Sequence, residues 1–204
     1  LNTTTESNNV CDDATFVQML REKKKFVKKK GFFKDAYLKA RQGDGANLRL
    51  AVTLLSSQSY GPKAEKATIS LSEGALTKVP SSAARGDYKN GEGVHSEHKF
   101  SAANFETGKF NLVQIRLWQD LRCYDFAIFS QDDELFEFRV PKEKVSEMVK
   151  EYGNLAHGTK KELKEKGLEW GSAIFKSETA LRGVVGGKLW NELLPYRVES
   201  LSHL

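Results

Sequence analysis

Arg85-Gly86-Asp87-Tyr88-Lys89-Asn90-Gly91-Glu92-Gly93-Val94-His95-Ser96-Glu97-His98-Lys99-Phe100 is the stretch around which the rest of the chain is ordered. It sets an acid, a glycine-containing turn and then Glu-x-Lys on what reads as a strand. Strand side chains alternate between faces, so His95, Glu97 and Lys99 share one face and Val94, Ser96, His98 and Phe100 the other. Asn90-Gly91 is the strongest hairpin signal in the sequence. A two-residue loop there would set Asp87 opposite Val94, on the wrong face. A three-residue loop, Asn90-Gly91-Glu92, sets Asp87 opposite His95 and diagonal to Glu97, about 7–8 Å away between Cα atoms. The longer loop is therefore expected. It lets Asp87 and Glu97 converge on one hard cation such as Mg²⁺, which takes oxygen ligands, with the Lys99 ammonium alongside.

Upstream, residues 1–11 are rich in Asn, Thr and Ser and read as a disordered tail. Asp12 or Asp13 caps a helix over about 14–30, with Phe16, Val17, Leu20 and Val27 as its apolar stripe. Its other face carries Lys23, Lys24 and Lys28 among seven cations, a candidate contact for phosphates. A second helix is expected over 32–41 and a buried one over 47–57. Gly61-Pro62 reads as the start of a further helix reaching Leu71, with Glu65 on it.

Downstream, Leu112 to Asp120 reads as a short helix. Tyr124–Phe129 and Leu135–Val140 read as strands, and Pro141 opens a helix over 142–151. Beyond residue 152 lie the basic loop His157-Gly158-Thr159-Lys160-Lys161 and a helix near 188–194. Gly183-Val184-Val185-Gly186-Gly187 lacks the Lys-Ser/Thr ending of a phosphate loop and reads as a flexible turn. His95-x-x-His98 has the wrong parity for joint zinc ligation on a flat strand. The order of elements points to an α/β fold with a mixed sheet.

The 204 residues, 39% hydrophobic and 29% charged with a net charge of +5, suit a single domain with a polyanionic partner. No run of 18 apolar residues and no secretory pattern is present, so no membrane span is expected. Cys11 and Cys123 form no metal-ligand spacing, and a reducing cell interior is the natural compartment.

Taken in order, Tyr60-Gly61-Pro62 with Glu65, Gly86-Asp87, Ser96-Glu97-His98-Lys99-Phe100-Ser101, Gln114-Ile115-Arg116-Leu117-Trp118-Gln119 and the strand pair ending at Val140-Pro141 resemble the PD-(D/E)xK nuclease superfamily. Within it, they are similar to a small type II restriction endonuclease. The resemblance covers about residues 48–150, and Gly86 stands where the family often has Pro. It implies a restriction-endonuclease-like core, a mixed central β-sheet flanked by helices, with a basic helical part over 12–47 and a part for DNA recognition or dimerisation over 151–204. It implies Mg²⁺ on Asp87 and Glu97, with Lys99 beside the attacking water and Glu65 and Gln114 completing the catalytic set. DNA contacts are expected from Lys23, Lys24, Lys28, Lys160 and Lys161. The implied function is sequence-specific cleavage of double-stranded DNA by a homodimer in the cytoplasm of a prokaryotic cell. A structure-specific repair or junction nuclease of the same fold, and a non-catalytic basic DNA-binding module, are the alternatives.

Overall fold

Cys123–Phe129 (β5) is apolar at nearly every position, as a strand covered on both faces must be, and the computed structural model sets it inside a six-stranded sheet. The structure describes residues 13–156, 163, 165 and 167–203. The expected tail, Cys11, His157, Lys160 and Lys161 lie outside the described residues.

Leu76–Lys78 (β1), Tyr88–Asn90 (β2) and His95–Ala102 (β3) run as an antiparallel series. β3 then pairs in parallel with β5, and β5 pairs antiparallel with Leu135–Pro141 (β6), which carries the short Arg197–Val198 strand (β9) at its outer edge. The sheet is therefore mixed. A second sheet joins Lys109–Ile115 (β4), Thr179–Val184 (β8) and Gly153–Leu155 (β7).

Alternation along β5 divides the core. Ala127 and Phe129 face a helical layer built from Phe32–Arg41 (α2), Ala46–Leu54 (α3) and Ser57–Leu71 (α4). Tyr124, Phe126 and Ile128 face a larger core with Val145 and Met148 of Lys142–Tyr152 (α5), Leu112 of β4 and Trp190 of Lys188–Leu193, here α7. A single turn at Trp170–Ala173 (α6) packs against Leu155. The α/β class with helices on both faces of a mixed sheet is thus established.

Four local expectations are corrected. The helix expected over 112–120 is strand β4. Phe110 and Leu112 point inward and Lys109, Asn111 and Val113 outward with a period of two, but a bulge then leaves Gln114 exposed as well. That extra residue puts Leu112 and Ile115 three apart, a spacing that imitates a helical stripe. The hairpin loop is Gly91-Glu92-Gly93, because Tyr88 pairs with Ser96 and Lys89 with His95. The Asn90 carboxamide oxygen accepts the N–H groups of Glu92 and Val94 at 3.1 and 2.9 Å, and Gly93 takes φ 78°. The turn therefore closes one residue later than Asn90-Gly91 suggests. α4 begins at Ser57, so Pro62 lies inside it and removes the N–H that would meet the Gln58 carbonyl. Finally, Asp13–Val27 (α1) buries only Val27, leaving Phe16, Val17 and Leu20 exposed.

A buried polar layer lies beneath the apolar helical face. Glu137 on β6 is 2% exposed. It accepts hydrogen bonds from the Tyr37 hydroxyl at 2.7 Å and Arg41 Nη2 at 2.9 Å, both on α2. The Leu201 N–H also reaches it, at 3.3 Å, from a closing 3₁₀ turn at Leu201–His203. In that turn the Ser202 hydroxyl donates to the Thr68 carbonyl of α4 at 2.9 Å. One carboxylate thus ties together α2, β6 and the Leu201–His203 turn. Glu137→Ala strands the Arg41 guanidinium in low dielectric, and we expect a loss of about 3–5 kcal/mol in a urea unfolding titration.

Candidate active site

The positions of Asp87, Glu97 and Lys99 follow from strand register. Asp87 lies just before β2 and meets β3 beside Glu97, its main chain bonded to Ser96 and its side chain to His98, rather than opposite His95 as the longer-loop reading predicted. The Asp87 N–H donates to the Ser96 carbonyl at 2.9 Å, and the Val79 N–H donates to the Asp87 carbonyl at 2.9 Å. The main chain at Asp87 is thereby pinned between β1 and β3. Its side chain turns in as well: Oδ2 accepts the His98 N–H at 2.8 Å.

Gly86 makes this approach possible. Its φ is 83°, and a Cβ there would lie 2.4 Å from the Ser96 carbonyl oxygen. Neither the left-handed backbone nor the space admits a side chain.

On β3, Glu97 is 3% exposed and receives the Lys99 ammonium at 2.5 Å, two residues on along the same face. On α4, Glu65 receives the Lys78 ammonium of β1 at 2.9 Å. Asp87, Glu97, Lys99 and Glu65 line one cleft of about 970 Å³. Its walls are the start of α4, with Ser57, Gln58 and Tyr60, and the outward face of β4, with Lys109, Asn111 and Gln114. Gln114 was expected on a helix following the site. It instead occupies the β4 bulge with φ 56°, a conformation that costs a non-glycine residue of order 1–3 kcal/mol and turns its side chain toward the cleft.

Each acid has a different balance. Glu97 and Glu65 are each paired with a lysine, whereas Asp87 has the His98 backbone donor as its close partner. Burial and the neighbouring Glu97 carboxylate push the Asp87 carboxyl up to about 6, against the pull of Lys99, with Glu65 adding to the rise. The hydrogen bond to Glu65 and its charge, with Asp87 beyond, hold Lys78 more firmly protonated than usual. On the opposite face of β3, His98 is lowered to about 3 by burial and by Lys99 and Arg41, so it is a neutral core residue. His95 shares the Glu97 face but sits at the strand's entry, with Nδ1 3.1 Å from the Arg85 carbonyl oxygen.

The donor set can be tested against a hard divalent cation. Among the described residues no three His, Cys, Asp or Glu side chains form a complete ligand cluster. Mg²⁺ does not require one. It commonly keeps several waters and takes one or two carboxylates plus oxygens from a phosphate substrate. Asp87 and Glu97, two carboxylates that line one cleft, Asp87 with a backbone N–H as its close partner, fit that requirement.

Sequence reading missed three contributors: Lys78, Lys109 and Asn111. Lys78 lies on a three-residue strand too short to show a period. Lys109 and Asn111 precede the helix expected from Leu112 and fall instead on β4. The exposed Lys23 and Lys24 of α1, and Lys28 just after it, do not line the cleft. No protein-family model matches the chain, and no curated protein matches it.

Two outcomes follow from this geometry. Gly86→Ala is expected to lower stability by about 1–3 kcal/mol in urea and to move Asp87 away from the His98 N–H. The raised Asp87 carboxyl has a defined sign. With the folded value above the unfolded one, ionising Asp87 disfavours folding above about pH 6, and the cost disappears below about pH 4 where both states are protonated. Asp87→Asn should therefore raise the unfolding free energy by on the order of 2–3 kcal/mol at pH 7.5 in metal-free buffer, with the gain shrinking toward pH 4.

Proposed function

We propose that this chain is a Mg²⁺-dependent endonuclease that hydrolyses phosphodiester bonds in double-stranded DNA at defined sequences. The reading takes the fold to be restriction-endonuclease-like and the working form to be a homodimer, one copy for each strand of a two-fold symmetric site. It rests on one observation above the others. Asp87, at the entry to β2, lies beside Glu97 on β3, and Lys99 follows on the Glu97 face, all three opening into one cleft.

The chain's own groups suit this chemistry. The Asp87 and Glu97 carboxylates would hold the Mg²⁺, which when bound supplies charge to polarise a phosphoryl oxygen and lowers the pKa of a coordinated water. Lys99 carries a compact ammonium at the place where negative charge grows on a phosphate entering beside Glu97. The β-sheet holds it there, since its position follows from Glu97 by strand alternation alone. Gln114, set on the cleft side of β4 by the bulge, offers a neutral donor and acceptor to orient water or a phosphate oxygen. Lys109 adds positive charge on the β4 wall, and Ser57, Gln58 and Asn111 offer uncharged hydrogen-bonding groups to a sugar-phosphate chain. Lys23, Lys24 and Lys28 extend the positive surface beyond the cleft.

The test is cleavage of long duplex DNA with Mg²⁺ by the intact chain, by Glu97→Ala and by Lys99→Ala. We expect discrete, metal-dependent fragments from the intact chain and a loss of at least about 10²-fold in both variants. Light scattering under the same conditions should give twice the chain mass. Cutting confined to branched or damaged DNA would favour the structure-specific nuclease. Salt-sensitive DNA binding without cleavage in Mg²⁺ or Mn²⁺ would leave a binding module.

A further inference from the structure

Among the described residues Phe105 is the most exposed large apolar side chain, at 69%, yet the loop that carries it from β3 to β4 is firmly tied. The Asn104 carboxamide oxygen accepts the Glu106 and Thr107 N–H groups at 3.1 and 2.9 Å and the Thr107 hydroxyl at 2.9 Å. The Asn104 main chain closes the same turn, donating to the Lys109 carbonyl at 2.8 Å and accepting the Gly108 N–H at 2.9 Å. The ring itself is propped from one side. The Arg49 guanidinium of α3 lies over it, 5.3 Å from its centroid, and 4.8 Å from that of Phe129 on β5. Arg49 is fixed in turn by the Asp133 carboxylate and the Ser130 carbonyl, each at 2.6 Å. A ring with a cation over one face and solvent over the other is held ready for a flat partner, and the fold recovers nothing from that exposure.

Its position indicates the partner. Asn104 just before it and Lys109 just after it both line the cleft, so Phe105 stands at the cleft's edge where β3 ends and β4 begins. A cation for phosphate beside a π-face for a base is the pairing by which nucleic-acid strands are tracked. A base inside a duplex has both faces covered, so the partner of a fixed ring is a base that has left the stack. We propose that Phe105 is a stacking residue for an unstacked nucleobase of the DNA strand whose backbone occupies the cleft. The inference rests on the DNA reading of the cleft and deepens it. It names the form of DNA held at the cleft's edge, a strand with one base turned out, and assigns the contact to a residue outside the catalytic set.

The test is fluorescence anisotropy on the full chain at low salt, with Ca²⁺ in place of Mg²⁺ so that bound DNA is not cut. Three labelled duplexes of one sequence are compared: fully paired, with one unpaired adenine, and with an abasic sugar in place of that adenine. The parent chain is expected to bind the unpaired-adenine duplex about tenfold more tightly than the abasic one, and Phe105→Ala to bind the two alike. Phe105→Trp should keep the preference. Phe105→Leu, apolar but without a π-face, should lose it, which separates stacking from apolar contact in general. Equal binding of the adenine and abasic duplexes by the parent, or a preference that survives in Phe105→Ala or Phe105→Leu, would overturn the proposal. Binding of the paired duplex would then still uphold the DNA reading of the cleft. Absence of binding to all three duplexes would overturn both. The side chain is largely in solvent, so its variants should fold, and unchanged urea midpoints would verify this.

Discussion

The alternation of β3 governs this molecule. Its neighbours are hydrogen-bonded on both sides, β2 on one edge and β5 on the other, so its register cannot move without breaking two ladders. Within that fixed frame Glu97 and Lys99 turn to one side and Ser96, His98 and Phe100 to the other. A slip of one residue would put a carboxylate and an ammonium against the α2–α4 core and His98 into the cleft. The apolar packing of Phe100 against Tyr37, Tyr60 and Phe33 helps to hold the register in which the charged face lines the cleft.

Beneath the site, polar groups are buried without being left unmatched. Asp125 sits beside His98 across the parallel pairing. It accepts the Tyr88 hydroxyl at 2.6 Å and a two-pronged contact from Arg139 at 2.9 and 2.7 Å. Glu137, two strand positions from Arg139, organises Tyr37 and Arg41 and receives the C-terminal turn. Removing either carboxylate alone would leave a buried guanidinium, so each network stands or falls as a unit. They join β2, β5, β6, α2 and α4 by directional bonds; β2 follows directly on Asp87, α4 carries Glu65, and β5 is the parallel neighbour of β3, which carries Glu97.

The site itself gives up stability. Asp87 is held close to other carboxylates in a partly enclosed cleft, and Gln114 is held in a left-handed backbone conformation. Neither arrangement lowers the energy of the isolated chain. Both are sustained by surrounding structure, the Gly86 approach to β3 in one case and the β4–β8 pairing in the other. Strain of this kind concentrates where a ligand later relieves it.

Much of this was written locally in the sequence. Period-two alternation placed Glu97 and Lys99 on one face and His98 on the other, because strand geometry depends on nothing more distant than the next residue. The apolar runs at 124–129 and 135–140, and the Pro141 boundary, were equally legible. The hairpin register was not, since it turned on how the Asn90 side chain caps the loop and on φ at Gly93, a choice among turns of nearly equal local energy. β4 was misread because a bulge broke its period, and the bulge exists only against β8, about 70 residues away. Lys78 was invisible because its meaning lies in Glu65, which reaches it from a different element. The sequence by itself determined which side chains alternate on each strand. Only the tertiary structure decided which strands, and therefore which charges, were brought face to face, because pairing across a sheet is settled by long-range packing that no local period encodes.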